Sequence, residues 1–523
     1  MVMGERTARG SGLSIASAVA VAAIVFCLGR GSLLPFVGLH QDDGQYLVAA
    51  RSIAEGWGYR AAQTSGRPWQ TKFPPVLPLS LSVGWSLSTD WPAVAHWREL
   101  ESLTFGAIAA GILCLAMVRT AGLSNPLAAV ATIAASTSPA LLGVTAQVMS
   151  EPLFMLWIAL AVWSLNVPDD SRLANTRGIW LALMVLTRSA GVLMCVGAIV
   201  WLWRRRALGW TVVVPVGLAV IGWFGWVQVA SAGADAPVYE VSYLRWLATI
   251  GLTAWPRIVV DNLLAVPVHG GSLVVQAPMM ILPAALRPAC GFFAGLGVVA
   301  AVVWAARSAS GAWPWLLAVY VAGIVWWPWP PSRFLLAVLP LTFCSVLAAT
   351  RPGSGARRAV AIVLMVLGLS NAVAAVERTF DPRWARGYAL VGATIAPWSE
   401  YTALLNAIRR TTPPDAVVAS VVDSMVFLYT DRHGVFPYLQ DTIRLNYSSI
   451  PSVGGWRELD ERLTTTRAAF LVRVPAPTWA HTGALDETIA ALRASRPGRV
   501  RSVYRGADDR FELLEIVRDE AGR

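Results

Sequence analysis

Long apolar runs dominate this chain and constrain its fold more than any other feature. The first extends over residues 13–37, and similar runs recur as far as residue 376. A helix needs roughly 20 mostly apolar residues to cross a bilayer. Of all residues, 56% are hydrophobic and only 14% are charged, which is far from the usual globular mixture. The sequence therefore predicts a polytopic α-helical membrane protein.

Arginines set the predicted orientation, because short cytoplasmic loops carry an excess of basic residues. Arg6 and Arg9 precede the first run, so the N-terminus is expected in the cytoplasm and the membrane is the plasma (inner) membrane. The run 179–203 is divided at Thr187 and Arg188, because only two short segments bring 204–206 (Arg-Arg-Arg) to the inner side. About eleven spans result: 13–37, 100–118, 127–148, 153–165, two within 179–203, 208–229, 289–306, 313–329, 334–349 and 359–376.

Two domains are predicted, because charged residues become dense after about residue 377. Residues 1–376 form the membrane domain, and 377–523 form a small exoplasmic α/β domain, with strands at 416–420, 468–474 and 511–517 and a helix at 484–495.

Between spans, 230–288 is predicted as a long outer loop containing Tyr239, Tyr243, Arg245, Asp261 and His269. The stretch 75–87 is too short to span and is expected as an interfacial or re-entrant helix.

Several common functions find no support in the sequence. The net charge of +11 follows from arginines in membrane loops, so no nucleic-acid partner is expected. The five cysteines lie in or beside apolar runs, and the five histidines follow no metal-ligand spacing, so no disulfide framework and no protein-built metal site are predicted. No phosphate-binding or dinucleotide-binding glycine motif occurs.

The predicted first exoplasmic loop, residues 38–98 and called the first loop below, gathers the groups best suited to chemistry. Asp42 and Asp43 precede a helical pattern over 44–56 that contains Tyr46, and Lys72 stands before two prolines. Of 42 Lys and Arg residues, 42 − 1 = 41 are arginine, since Lys72 is the single lysine. One explanation is functional, because a compact ammonium on a flexible stem makes a contact that a planar guanidinium does not replace. The other is codon bias, which would leave a single lysine by chance. The two acids would equally serve as helix-capping residues.

The predicted topology adds further groups to the same face. Glu151, Arg188 and Arg333 stand at outer ends of spans, and His40 stands beside the acid pair. Arginines at such positions also snorkel to lipid headgroups, and an acid before a proline also begins a helix. A polytopic transporter of a small solute or lipid-linked substrate is the alternative to an enzyme, although transporters place polar sites at the midplane and show internal repeats, and no convincing repeat is seen.

An enzyme at this face needs an energised substrate delivered by lipid, and a polyprenyl-phosphate sugar is one. Its transfer requires a carboxylate that takes the proton of the acceptor hydroxyl and cations that stabilise the departing phosphate. Asp42, Asp43 and Glu151 are the candidate catalytic acids. Lys72, Arg188 and Arg333 are the candidate phosphate-binding residues, and Tyr46 and His40 are candidate substrate-binding residues.

The ordered motifs of the membrane domain resemble those of GT-C fold glycosyltransferases, in the broad group that contains protein O-mannosyltransferases and the lipid A aminoarabinose transferase. The motifs are Asp42-Asp43 with Tyr46 and a helix to Glu55-Gly56, Lys72-Phe73-Pro74-Pro75, Ser150-Glu151-Pro152-Leu153-Phe154, Leu186-Thr187-Arg188 and Pro331-Ser332-Arg333-Phe334-Leu335-Leu336.

This resemblance implies a transferase for a hexose or pentose that acts on a glycan, lipid or protein acceptor of the cell envelope, usually with inversion. It implies that the first acid, Asp42, is the base and that Lys72 meets the lipid phosphate. The sequence has Asp-Asp where Asp-Glu is common, so the choice between Asp42 and Asp43 stays open. Some GT-C enzymes use a divalent metal and others do not, so the resemblance leaves a metal cofactor open.

Overall fold

The computed structural model describes most of the chain. The described residues are 2–34, 36–88, 90–91, 93–232, 247, 250–276, 282–308, 311–380, 388–391, 394–438, 447, 454–475 and 482–518. Tyr239, Tyr243 and Arg245 of the predicted outer loop lie outside this set. So does His481, one of the five histidines, which belongs to the C-terminal region.

The first three quarters of the chain are helical. The helices are α1 (Val2–Gly29), α2 (Asp42–Ala54), α3 (Val76–Leu87), α4 (Ala93–Thr120), α5 (Asn125–Ser136), α6 (Pro139–Thr145), α7 (Ser150–Leu165), α8 (Arg177–Thr187), α9 (Gly191–Arg204), α10 (Trp210–Ala230), α11 (Trp255–Val274), α12 (Arg287–Ser308), α13 (Trp313–Val325), α14 (Ser332–Leu336), α15 (Leu339–Ala348) and α16 (Gly355–Phe380).

Several of these helices have the length and apolar composition of membrane spans. Among the described residues there are five, Ser14–Ser32, Ala93–Thr120, Trp210–Ala230, Ala284–Arg307 and Gly355–Phe380, or six if the bent pair of α5 and α6 is one span. Shorter apolar helices, including α7, α9, α13 and α15, lie among them. The protein is thus a multi-pass helical membrane protein, while the count of eleven spans and the orientation of the termini stay predictions.

Three sequence predictions need correction. The expected span 127–148 is broken, because α5 and α6 meet at 74° where Pro139 begins α6 and cannot donate a backbone hydrogen bond to the preceding turn. The expected span 334–349 is likewise divided into α14 and α15 around Ala337 and Val338.

The expected outer loop 230–288 contains α11, a 20-residue helix. It packs along α12 through glycines, since a Cβ on Gly271 would lie 1.8 Å from the carbonyl oxygen of Gly291. This stretch contains Asp261, His269 and an internal Pro267, but close backbone approach to α12 holds it as a helix.

Other local predictions are confirmed. The run 179–203 is divided, with α8 ending at Thr187 and α9 beginning at Gly191. The helix after the acid pair is present and already includes both acids in its first turn. The short apolar helix of the first loop is α3.

The C-terminal region is an α/β unit. It begins with a hairpin of β1 (Tyr388–Val391) and β2 (Thr394–Pro397). The elements that follow are α17 (Trp398–Thr411), β3 (Val417–Ala419), α18 (Asp423–Thr430), β4 (His433–Val435), α19 (Trp456–Thr465), β5 (Phe470–Arg473), α20 (Thr482–Ser495), β6 (Val500–Arg505) and β7 (Glu512–Ile516). Strands β3 to β7 form a five-stranded mixed sheet in the order β4-β3-β5-β7-β6. The predicted strands near 416, 468 and 511 are β3, β5 and β7, whereas β4 and β6 were not predicted.

The C-terminal unit packs directly on the first loop. A Cβ on Gly44 would lie 2.6 Å from the Cβ of Ser424 in α18. A Cβ on Gly38, whose φ is +93°, would lie 2.8 Å from the Cβ of Met425. The backbone N–H of Gly434 donates to the carbonyl oxygen of Gln63 at 2.8 Å. A side chain at Gly44 would therefore force the C-terminal unit away from α2. The division of the chain at residue 376 stays a prediction.

Candidate functional site

Four charged side chains from separate helices meet in one network beside the first loop. Nε of Arg333 lies 2.7 Å from Oε1 of Glu151, and Nη1 of Arg188 lies 2.6 Å from the same oxygen. Arg333 also forms an ion pair with Asp42. One carboxylate thus joins both arginines, and Arg333 continues the chain of contacts to the second acid. These four residues are called the arginine–carboxylate network below.

Helix ends position every member of the network. Asp42 and Glu151 stand in the first turns of α2 and α7, where the positive end of the helix dipole favours a carboxylate. Arg188 follows the last residue of α8, and Arg333 lies in the first turn of α14. The sequence shows a break in an apolar run at each of these positions. The structure brings these breaks together, so that the four charged side chains meet.

Exposure differs sharply within the network. The side chain of Glu151 is 0% exposed and that of Arg188 is 10% exposed, whereas Asp42 and Arg333 are 18% and 31% exposed. A buried charge is tolerated when it is paired and hydrogen-bonded, and Arg188 adds a hydrogen bond to Oγ of Ser150 at 2.9 Å. Asp42 and Arg333 therefore form the accessible part of the network, and Glu151 holds the arginines from the interior.

Asp43 and His40 lie in a different environment from Asp42. Adjacent helical residues point about 100° apart, and Asp43 is turned into the loop, where its Oδ2 accepts a hydrogen bond from the N–H of Gly38 at 2.7 Å. Its Oδ1, and Nδ1 of His40, have no hydrogen-bond partner among the described residues. Burial raises the pKa of Asp43 and lowers the pKa of His40.

Tyr46 and Lys72 both lie beside the ring of Phe73. Tyr46 is buried, its ring centroid lies 4.6 Å from that of Phe73, and its hydroxyl lies within electrostatic reach of Asp42, Arg188 and Arg333. Nζ of Lys72 lies 5.3 Å from the centroid of the Phe73 ring, and its backbone N–H donates to Oε1 of Gln70 at 2.9 Å. Lys72 therefore lies beside Phe73, whose ring contacts that of Tyr46.

Two aromatic residues of the site were not predicted from the sequence. The guanidinium of Arg188 lies 5.5 Å from the ring centroid of Phe334. The buried hydroxyl of Tyr320 donates to the carbonyl oxygen of Phe334 at 3.3 Å. Phe334 follows Arg333 directly and belongs to a motif already noted, whereas Tyr320 lies in the middle of an apolar run, where no pattern distinguishes it.

An apolar groove of about 700 Å³ opens beside these residues. Its walls are formed by the first loop together with α2, α3, α8 and α10, and Pro75, Leu186 and Trp226 are among the lining residues. Pro75 follows Lys72 by three residues and Leu186 precedes Arg188 by two. Nε1 of Trp226 donates to the carbonyl oxygen of Gln70 at 3.0 Å, which ties α10 to the segment that carries the lysine.

The described part of the chain contains no group of three His, Cys, Asp or Glu side chains placed to hold a metal ion. The two accessible or partly accessible charged groups of the network, Asp42 and Arg333, are paired with each other.

Replacing Asp43 with Asn is expected to change how the melting temperature depends on pH. The raised pKa means that above its ordinary value of 3.8 the folded protein retains a proton that the unfolded chain has lost. Stability then falls as pH rises through that window. Asn has no such proton, so the melting temperature of the wild type relative to Asp43→Asn should fall as the pH rises above 3.8 toward the raised pKa. A difference in melting temperature that does not change with pH would contradict this.

Comparisons with known proteins give matches only at the level of structure. Neither protein-family models nor curated proteins match the sequence. ArnT from Cupriavidus metallidurans bound to undecaprenyl phosphate is 16% identical over 97% of this chain and 98% of that chain, with a TM-score of 0.47. Its apo state is 15% identical over 96% and 97% of the two chains, with a TM-score of 0.45.

The oligosaccharyltransferase of Archaeoglobus fulgidus, in complex with Zn and sulfate, is 13% identical over 86% of this chain and 67% of that chain, with a TM-score of 0.48. All three identities lie below 20% and all three TM-scores lie below 0.5. The function proposed below therefore rests on the geometry of the arginine–carboxylate network.

Proposed function

We propose that this protein is a membrane glycosyltransferase that moves a sugar from a polyprenyl-phosphate donor to a hydroxyl group of an exoplasmic acceptor, with inversion at the anomeric carbon. The observation that supports this most directly is the accessible pair of Asp42 and Arg333, anchored on the buried Glu151. This arrangement offers a base and a phosphate-binding cation side by side.

Asp42 is the general base in this proposal. As the acceptor oxygen bonds to the anomeric carbon, its proton passes to the Asp42 carboxylate. The bond between the anomeric carbon and the phosphate oxygen breaks, and its electron pair leaves with the polyprenyl phosphate. Asp43 is less suited to this role, because it is buried and accepts a hydrogen bond from Gly38; its role is to fix the turn before α2.

The arginines stabilise the departing phosphate, where negative charge increases in the transition state. The four residues of the network are neutral in sum, since two guanidinium groups face two carboxylates. A donor phosphate that engages Arg333 competes with Asp42 for it and leaves the carboxylate available to the acceptor. Glu151 acts as a positioning residue, because it touches both arginines and is itself inaccessible.

Lys72 supplies the remaining cation, and the apolar groove receives the start of the polyprenyl chain. The groove is lined by residues close in sequence to Lys72 and to Arg188. A lipid seated there has its phosphate at the boundary between an apolar surface and these cations. Tyr46 and His40 are proposed to contact the sugar or the acceptor from α2 and the preceding turn.

The proposal is tested by supplying purified protein in lipid nanodiscs with a set of polyprenyl-phosphate sugars and candidate acceptors, and by measuring glycosylated acceptor and released polyprenyl phosphate by mass spectrometry. Formation of both products in equal amounts is the expected result. Uptake of a soluble solute into proteoliposomes, with no donor lipid consumed, would favour a transporter and contradict the proposal.

Replacing Lys72 with Ala is expected to raise the KM for the donor by roughly tenfold to 100-fold, because a charge-assisted contact with the phosphate is lost. Lys72→Arg should restore donor use only in part, since a planar guanidinium does not replace a compact ammonium. Arg30→Ala, which removes an exposed cation near the outer end of α1, is the matched control. An unchanged donor KM in Lys72→Ala would exclude the phosphate role.

A further inference from the structure

A second pocket, lined by charged and aromatic side chains, lies at the opposite end of α2 from Asp42, where the first loop meets the C-terminal unit. It has a volume of about 380 Å³ and is called the junction pocket below. Its charged and aromatic lining includes Arg51, Trp57, Arg67, Asp415, Phe427 and Asp431. Residues from both parts of the chain are therefore needed to build it.

Ion pairs hold the two sides of the junction pocket together. Nη1 of Arg51 lies 2.7 Å from Oδ1 of Asp431, and Nε of Arg51 lies 2.7 Å from Oε1 of Glu55. The same guanidinium lies 5.2 Å from the ring centroid of Phe427. Together with the hydrogen bond from Gly434 to Gln63, these contacts fix one wall of the pocket.

The lining of the pocket also contains polar groups that are not used in ion pairs among the described residues. The guanidinium of Arg67 stacks 3.8 Å from the ring centroid of Trp57 and forms no salt bridge among the described residues, and the exposed Asp415 forms none either. Nδ1 of His433, which also lines the pocket, has no hydrogen-bond partner in the described part of the chain. The pocket therefore offers hydrogen-bond donors and acceptors in addition to its aromatic rings.

The balance of charges indicates the kind of ligand. Two arginines face two aspartates, so the formal charges in the lining cancel, and an anion would meet Asp415 and Asp431 as well as the cations. Carboxylates accept from hydroxyl groups, guanidinium groups donate to them, and aromatic surfaces suit the apolar C–H groups of a sugar ring. A neutral saccharide fits this combination better than a phosphate does.

We propose that the junction pocket binds a neutral saccharide unit of the acceptor, at a distance from the hydroxyl that reacts. Arg51 follows Asp42 by nine residues in α2, which corresponds to about 13 Å along a helix. An oligosaccharide of several units is long enough to cover that distance. The assignment as an acceptor subsite rests on the proposed function, whereas saccharide binding does not.

The test is direct binding of maltotriose, mannotriose and arabinotriose to the full chain in nanodiscs, followed by saturation-transfer NMR, with inorganic phosphate as a competitor. We expect at least one trisaccharide to bind, and the double variant Arg67→Ala, Asp415→Ala to weaken its Kd at least about tenfold, since charged hydrogen bonds are lost. Arg501→Ala, at an exposed pair with Glu515 in the same unit, should leave the Kd unchanged.

Each outcome has a consequence for the proposal. Absence of binding by all three saccharides, equal binding by the double variant, or displacement by phosphate would overturn it. Asp415→Asn, a milder change at an exposed position, serves if the double variant is unstable, and it should weaken the Kd in the same direction. A wild type that binds saccharide through this pocket yet transfers no sugar would refute the proposed function alone, and transfer without saccharide binding would refute the pocket alone.

Discussion

Asp42→Asn is expected to lower the rate of sugar transfer by about 10²-fold to 10⁴-fold, the range typical of a lost general base. Asn occupies the same volume but cannot take the acceptor proton. Donor binding should persist, because Arg188, Lys72 and the anchored Arg333 remain. The measurement is the steady-state rate with saturating donor and acceptor, accompanied by a melting curve that verifies folding.

Asp43→Asn is the matched control for this prediction, since it makes the same chemical change at the next residue. Its amide oxygen still accepts the hydrogen bond that Asp43 takes from Gly38, so we expect the rate to fall by less than about tenfold. Equal losses in the two variants, or an Asp42→Asn variant that retains most of its activity, would show that the base is wrongly assigned.

Glu151→Gln is expected to reduce stability and activity together. Removing one charge from a buried ion pair typically costs about 3–5 kcal/mol, because the partner charge is left uncompensated. Glu151 is the partner of two arginines, of which Arg188 is nearly buried. The variant should melt at a markedly lower temperature and should have a higher donor KM, because both guanidinium groups lose their anchor.

Glu515→Gln provides the comparison for Glu151→Gln. Glu515 pairs with Arg501 at the edge of the C-terminal sheet, where the arginine side chain is 69% exposed. Exposed pairs contribute roughly 0–1 kcal/mol, so this variant should melt close to the wild type. A Glu151→Gln protein that is as stable and as active as the Glu515→Gln protein would remove the structural basis of the network.

The composition of the site was largely predictable from the sequence, because polar residues at the ends of apolar runs must avoid the bilayer interior. This argument placed Asp42, Glu151, Arg188 and Arg333 on one face, and the structure joins these four. The division of 179–203 was also predictable, since the arginines at 204–206 require an inner position. These inferences depend on the membrane and not on detailed packing.

The direction of each side chain was not predictable. Asp42 and Asp43 are equivalent in sequence, and only the helix phase at which α2 begins turns one toward Arg333 and the other toward Gly38. The contact between the C-terminal unit and the first loop also escaped prediction, because it depends on the absence of a side chain at Gly44 and on α18, which the sequence did not reveal. The junction pocket is a consequence of that contact.

Helix α11 shows the opposite error, in which polar residues suggested a loop where a helix forms. Pro267 and His269 interrupt the apolar pattern, but Gly271 and Gly291 allow the backbones of α11 and α12 to approach closely. Packing between helices can therefore override the pattern of a single segment, and this affects the number of spans more than it affects the site.

A cryo-electron microscopy structure with a non-hydrolysable polyprenyl-phosphate sugar analogue would show whether the network binds the phosphate of a lipid-linked sugar beside Asp42. We expect the phosphate within hydrogen-bond distance of Arg333, Arg188 or Lys72, the lipid chain in the groove lined by Pro75 and Trp226, and Asp42 facing the anomeric carbon. A lipid bound elsewhere, with the Arg333–Asp42 pair intact and no sugar near it, would overturn the proposed function.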